Sequence, residues 1–62
     1  MMKKLYLVRM NWFGEVHEFW TRADREYEAL HNAYTKLAEK VGYSNYHVRN
    51  TVKQYTVEEI KE

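Results

Sequence analysis

KLYLVRMNWFGEVHEFWT, residues 4–21, holds two runs of strand-forming residues on either side of a glycine. Residues 4–12 read as one strand, in which Leu5, Tyr6, Leu7 and Val8 are apolar on both alternation faces, as is typical of a central strand with both faces covered. In residues 15–21, Val16, Glu18 and Trp20 alternate with His17 and Phe19. Gly14 can adopt the positive φ that a tight turn requires. The sequence therefore predicts a β-hairpin that turns near Gly14.

The length of the turn decides which side chains share a face of this hairpin. A loop of two or four residues places Tyr6, Val8 and Met10 on the same face as His17 and Phe19. A loop of three residues exchanges the two faces of the second strand. The sequence is compatible with either register.

A helix is predicted from Asp24 to Val41. Asp24 is a suitable N-cap residue, and Gly42 follows as the residue that ends the helix. One stripe of apolar side chains recurs at alternating spacings of three and four, and we expect it to face the sheet. The stripe consists of Tyr27, Leu30, Tyr34, Leu37 and Val41, and it is widened by Ala33 and Ala38.

After a loop at residues 43–45, alternation predicts a third strand from Tyr46 to Tyr55. Residues 56–59 fit a capping box as well as a fraying strand end, and residues 57–62 are expected to form a mobile tail. The chain is thus predicted to be one α+β domain, residues 1–62, with the order β-β-α-β. We expect a three-stranded antiparallel sheet with strand order 2-1-3 and one helix packed on one face.

Composition restricts the classes of function. The 62 residues include no cysteine, so disulfides and thiolate metal sites are excluded. A net charge of +1 is too small for a strong non-specific nucleic-acid binder. No apolar run is long enough to span a membrane, and the apolar run behind Met1–Lys4 is broken at Arg9. These features lead us to expect a cytoplasmic protein.

No set of residues has the spacing of a catalytic or metal-binding motif. His17, His31 and His47 include no close pair of the kind that zinc sites usually contain. Glu15 and Glu18 point to opposite faces of a strand and cannot act together. We therefore expect a protein that is not an enzyme and that carries no cofactor or metal.

Ten aromatic residues in a chain of this length exceed what one thin core can bury. Exposed rings are good contact groups in protein interfaces, so we expect a protein partner. The two aromatic residues beside the turn are the favoured anchors. The residues assigned to partner binding are Trp12, Phe13, Tyr6, Phe19 and Arg9.

The sheet face opposite the helix is expected to expose a second patch of large side chains, suitable for a homodimer. An alternative function is a nucleic-acid-binding module, in which Arg9, Arg49 and Lys53 hold phosphates while neighbouring rings stack on bases. A third possibility is a structural subunit of a homo-oligomer that has no outside partner.

Met10-x-Trp12-Phe13, followed by a turn, a strand and a helix, resembles a family of bacteriophage antitoxins of about this length. Chain length and element order are also similar to small accessory proteins of tailed bacteriophages. The resemblance implies an inhibitor of a bacterial host protein that acts in the host cytoplasm by inserting into an RNase toxin. It places Trp12 and Phe13 near that contact.

Overall fold

A computed structural model describes residues 3–61 and shows an α+β fold with the predicted sheet. Three antiparallel strands lie in the order β2-β1-β3. Two helices occur where one was expected, so the order is β-β-α-α-β. The elements are β1 Lys4–Trp12, β2 Glu15–Ala23, α1 Glu26–Val41, α2 Asn45–Thr51 and β3 Val52–Ile60.

The hairpin turns through two residues, Phe13 and Gly14, and this fixes the register that the sequence left open. Trp12 lies opposite Glu15, and Met10 lies opposite His17. Both turn residues have positive φ, 52° for Phe13 and 82° for Gly14, as an I′ hairpin turn requires. The even-numbered residues of β1 therefore share one face with the odd-numbered residues of β2.

The core lies between this face and α1. Large side chains of β1 meet the small residues of the helix, and this close approach holds the helix on the sheet. The residues of this core are Tyr6, Val8, Met10, Ala23, Ala29, Ala33, Leu37, Ala38 and Val48.

The predicted apolar stripe of α1 faces the sheet, except at its first residue, Tyr27. Ala29, Ala33 and Ala38 are buried together with Leu37, whereas Tyr27 is 71% exposed. The other members of the stripe, Leu30, Tyr34 and Val41, are partly buried at the flank of the contact. Because the sheet already contributes large side chains, alanines fit where the helix comes nearest and the larger residues are displaced to the sides.

The ends of α1 match the prediction in part. The helix begins at Glu26 rather than Asp24, and its N-cap residue is Arg25, whose side chain makes no capping hydrogen bond. Instead, Glu28 Oε1 accepts a hydrogen bond from the backbone N–H of Asp24 at 3.0 Å. At the other end, Gly42 has φ 81° and its N–H donates to Ala38 O, as predicted for the residue that ends the helix.

The prediction of a strand beginning at Tyr46 is wrong, because residues 45–51 form α2. Ser44 caps this helix: its Oγ accepts a hydrogen bond from the N–H of His47 at 3.1 Å. Val48 and Val52 fit a strand face, but they are also four residues apart, as one face of a helix requires. Val48 is fully buried, so packing on the core favours the helical solution.

The third strand is β3, and it runs further towards the C-terminus than expected. Val57 pairs with Val8 and Ile60 pairs with Leu5. Most of the predicted mobile tail, residues 57–62, therefore belongs to a strand, and residue 62 lies outside the described residues. The capping-box alternative for residues 56–59 is not adopted.

The sheet face opposite α1 is open, and apolar side chains occupy only part of it. Leu7 is only 6% exposed. Trp20 and Val16 are 54% and 64% exposed, but Arg9 and Glu18 form an ion pair in the row between them. Partly buried Leu5 and Ile60 lie beside Leu7 and Trp20 on this face. The face is therefore mixed in character, with an apolar group at the end away from the turn and Val16 beyond the ion pair.

Candidate binding site

Six ring-bearing side chains gather at the end of the molecule where the hairpin turns, and we call this cluster the aromatic end. It is built by the turn end of β1 and β2, by the segment after α1 and by α2. Because α1 ends beside the turn, the chain brings its later rings to the same place. The aromatic end consists of Trp12, Phe13, His17, Phe19, Tyr43 and His47.

The rings form a continuous set of contacts around Trp12. The Trp12 ring meets Phe13 edge-on, with centroids 4.8 Å apart, and lies 5.8 Å from Tyr43. Tyr43 in turn lies 4.6 Å from the ring of His47. Such edge-to-face and tilted contacts are each worth about 0.5–1.5 kcal/mol beyond the area that they bury. The cluster is therefore held in one arrangement rather than being a set of independent side chains.

Trp12 is the fixed member of the cluster. Its Nε1–H donates a hydrogen bond to Thr51 Oγ1 at 2.9 Å, and Thr51 Oγ1 donates to His47 O at 2.8 Å. The indole is half-buried. The bond ties the end of β1 to the last residue of α2, so Trp12 supports the site more than it projects from it.

Phe13 is the projecting member. It is 68% exposed and its φ of 52° places it in the left-handed region. A bulky residue in this region costs about 1 kcal/mol or more. The next residue is held by a hydrogen bond from the Gly14 N–H to Asn11 Oδ1 at 3.1 Å. The turn therefore presents a large ring to solvent in a conformation that asparagine or glycine would adopt at lower cost.

His17 lies inside the cluster with 9% of its surface exposed. Its ring stacks on Phe19, with centroids 6.4 Å apart and planes 6° from parallel. Glu15 Oε1 lies 3.4 Å from Nε2, but this contact lacks hydrogen-bond geometry, and neither ring nitrogen has a hydrogen-bond partner among residues 3–61. Lys40 Nζ lies 6.0 Å from the centroid of the Phe19 ring and adds a positive charge at the rim.

Three of the five residues assigned to partner binding belong to the aromatic end: Trp12, Phe13 and Phe19. The other two lie elsewhere. Tyr6 is 2% exposed beneath α1, so its assignment as a surface contact is corrected. Arg9 is exposed on the open sheet face, where its hydrogen bond to Glu18 and the charge of that carboxylate raise the pKa of the guanidinium.

The structure does not bring the three cations of the nucleic-acid alternative together. Arg49 lies on the helix side, with its guanidinium carbon 5.5 Å from the Tyr34 ring centroid and a nitrogen 2.6 Å from His31 Nδ1. Arg9 points to the other side of the sheet. Lys53 lies at the irregularity where β3 begins and borders the same open concavity as Arg9.

That concavity has a volume of about 640 Å³ and lies on the open sheet face. It combines two cations with amide, hydroxyl and apolar side chains. Within residues 3–61, no group of three or more His, Asp or Glu side chains is placed to hold a metal ion. The principal side chains around the concavity are those of Arg9, Asn11, Val16, Lys53, Gln54 and Thr56.

Sequence reasoning missed Tyr43 and His47 as members of the site. The signals were present in part: Gly42 ends α1, and Ser44 begins a second helix that carries His47. With residues 46–55 interpreted as a strand, neither ring could be assigned to the hairpin end. Their proximity to Trp12 depends on how α2 packs, which is a long-range property of the fold.

No protein-family model matches the chain, and no characterised protein or solved structure is significantly similar to it. None of the helices in residues 3–61 is long and apolar enough to cross a membrane.

Proposed function

We propose that this chain is a non-catalytic protein-binding domain that contacts its partner through the aromatic end. The observation that carries the proposal is Phe13, an exposed ring held in a left-handed turn conformation. Backbone strain and exposed aromatic surface each oppose folding stability. Phe13 combines the strained backbone with the exposed ring, and backbone strain of this kind is concentrated at functional sites.

The surroundings of Phe13 are those of an interface anchor. Trp12 supports it from the side, and Tyr43 adds a second half-exposed ring at 52%. Aromatic side chains that are already fixed lose little conformational entropy on binding. Glu15 and Lys40 supply a polar rim with charges of both signs. A rigid apolar centre with a polar border is the usual anatomy of a protein–protein contact.

The resemblance to phage antitoxins gives the proposal a narrower form. In that form the partner is a bacterial enzyme in the host cytoplasm, and Phe13 enters a pocket on its surface and blocks its action. This narrower form rests on the resemblance at Met10, Trp12 and Phe13 alone.

The test is to capture the partner from cells that naturally contain this protein, using a photo-reactive phenylalanine analogue at position 13. Competition by the unlabelled protein then measures how strongly each variant binds. We expect Phe13→Asn to lose at least tenfold in competition, which corresponds to about 1.4 kcal/mol, because the anchor is removed. Its stability should be equal or higher, because asparagine tolerates the left-handed turn.

The matched control is Tyr27→Ser, which removes an equally exposed ring far from the turn. It should compete like the wild type. If Phe13→Asn competes as well as the wild type, the aromatic end is not the binding site. If capture requires intact nucleic acid and weakens steeply with salt, the nucleic-acid alternative replaces the proposal.

A further inference from the structure

A β-bulge at the start of β3 borders the concavity on the open sheet face. Asn11 of β1 pairs with Gln54, but the next residue, Trp12, pairs with Val52, so Lys53 is the extra residue between them. In a regular strand, neighbouring side chains lie on opposite faces. At the bulge, Lys53 and Gln54 instead both border the concavity. Bulges often redirect a side chain in this way beside functional sites.

Lys53 brings a positive charge to the concavity that no carboxylate neutralises. Its side chain makes no ion pair or hydrogen bond within residues 3–61, and no acidic residue in this part of the chain borders the concavity. Arg9 is the second cation. Its Nε donates a hydrogen bond to Glu18, and the charge of Glu58 acts on it as well. The terminal nitrogens of Arg9 carry further N–H donors.

The neutral polar groups around the concavity can also donate hydrogen bonds. Asn11 Oδ1 accepts the Gly14 N–H at 3.1 Å, so the amide presents its own N–H groups to other partners. Gln54 and Thr56 add an exposed amide and an exposed hydroxyl. Because cations and N–H donors bind oxyanions through charge-assisted hydrogen bonds, these groups together are complementary to an anion.

The size of the concavity indicates a ligand larger than a bare ion. Its volume of about 640 Å³ lies within the range of about 300–1,000 Å³ that is usual for small-molecule sites. Val16, which is 64% exposed, supplies an apolar part of its wall. A phosphate ester satisfies both features, because its phosphate oxygens accept hydrogen bonds from the cations while its organic group covers Val16.

Two carboxylates beside the concavity favour a small molecule over a nucleic-acid strand. Glu18 lies opposite Arg9 on the open face. Glu58 follows Thr56 by two residues on β3 and therefore lies on the same face. A strand that crossed this face would bring its next phosphates against these two negative charges, and like charges repel. The cations of the concavity thus serve a single phosphate group.

We propose that the concavity binds a small phosphate ester, whose phosphate is held by Lys53 and by the terminal nitrogens of Arg9. None of the six residues of the aromatic end borders the concavity. The inference therefore goes beyond the proposed function, and its test is independent of protein binding.

The experiment is a titration of the isotope-labelled protein with adenosine monophosphate, followed through the NMR shifts of its backbone amides. We expect shifts that saturate and that are largest around the concavity, at residues 9–11, 16 and 53–56. Inorganic phosphate and adenosine are the comparison probes. Each lacks one half of the ligand and should bind roughly threefold or more weakly. Shifts that do not saturate overturn the proposal. Inorganic phosphate that binds as tightly as adenosine monophosphate also overturns it, because the concavity then takes an adventitious ion only.

Two variants should change the affinity in opposite directions. Lys53→Gln should raise the dissociation constant of adenosine monophosphate about tenfold, because a charged hydrogen-bond donor is lost. Glu18→Gln should lower this constant about two- to threefold, because Arg9 is released from its carboxylate. Circular dichroism checks that both variants fold.

The matched control is Lys61→Gln, which removes one positive charge just beyond the opposite end of β3. It should change the dissociation constant by less than about twofold, because solvent ions screen a distant exposed charge. Equal effects of Lys53→Gln and Lys61→Gln would show unspecific attraction and overturn the proposal. So would a short oligothymidylate that binds through Lys53 more tightly than adenosine monophosphate, because the ligand would then be a nucleic-acid strand.

Discussion

At the scale of single residues, the place of an aromatic side chain in the hairpin decides whether it is buried in the core or exposed. Tyr6 and Phe13 are both strand or turn aromatics, yet one is 2% exposed and the other 68%. Tyr6 faces α1, so it forms core, whereas Phe13 lies at a turn beyond the reach of the helix. Six of the ten aromatic residues keep about half or more of their surface exposed, as the small size of the core predicts.

Tyr34 is a residue whose surroundings have a consequence for stability at high pH. Burial raises the pKa of its phenol above the ordinary value of 10.0; Tyr55 acts in the same direction, and Arg49 opposes them. The folded state therefore holds this proton to higher pH than the unfolded state does. The contribution to stability is complete below about pH 10 and is lost as the pH rises through the folded-state pKa.

We predict that Tyr34→Phe reduces the loss of stability between pH 9 and pH 11, because phenylalanine has no proton to lose. Urea unfolding at several pH values measures this change. The control is Tyr27→Phe, since Tyr27 is 71% exposed, and its stability should follow the wild-type pH profile. A Tyr34→Phe profile parallel to that of the wild type would contradict the assignment.

At the scale of elements, the prediction from sequence differs from the structure mainly at α2, where a strand was expected. The hairpin and α1 could be predicted because each has a local pattern: strand-forming residues around a glycine, or apolar residues at helical spacing. The strand order could be predicted because β1 is apolar on both faces, as a central strand requires. Residues 45–51 carry a pattern that fits both a strand and a helix, and the buried position of Val48 decides between them. Burial depends on contacts with distant residues, which local patterns do not contain.

Ser44 is the local signal that favours the helical solution, and its contribution can be measured. We predict that Ser44→Ala lowers the free energy of unfolding by about 1 kcal/mol, because the N–H of His47 loses its acceptor. Ser44→Asp should retain most of the stability, since a carboxylate also accepts this bond and favours the helix N-terminus. Urea unfolding of both variants gives the comparison. Equal stability of the two variants would show that the cap does not stabilise α2.

At the scale of the whole molecule, the candidate site is assembled by contacts that cross most of the chain. Trp12 and Phe13 could be assigned from the sequence, because large rings beside a turn glycine stand out. Tyr43, His47 and the partner of the Trp12 indole could not, since they follow from how α2 closes over the hairpin end. Thr51 lies 39 positions from Trp12 in the sequence, and the bond between them joins the first strand to the last helix.

This bond gives the last prediction. In a double-mutant cycle of Trp12→Phe and Thr51→Val, the coupling energy should be about 1 kcal/mol, the usual net worth of one hydrogen bond. Trp12→Phe also removes ring volume, and Thr51→Val also removes the hydrogen bond from Thr51 to His47. Each of these two losses is the same whether or not the other substitution is present, so both cancel in the cycle and only the energy of the Trp12–Thr51 bond remains. Trp12→Phe combined with Thr35→Val is the control, and its effects should add to within about 0.5 kcal/mol, because Thr35 bonds His31 and Asn45 instead. A coupling as small as that of the control would mean that the hairpin end and α2 are held together by ring packing alone.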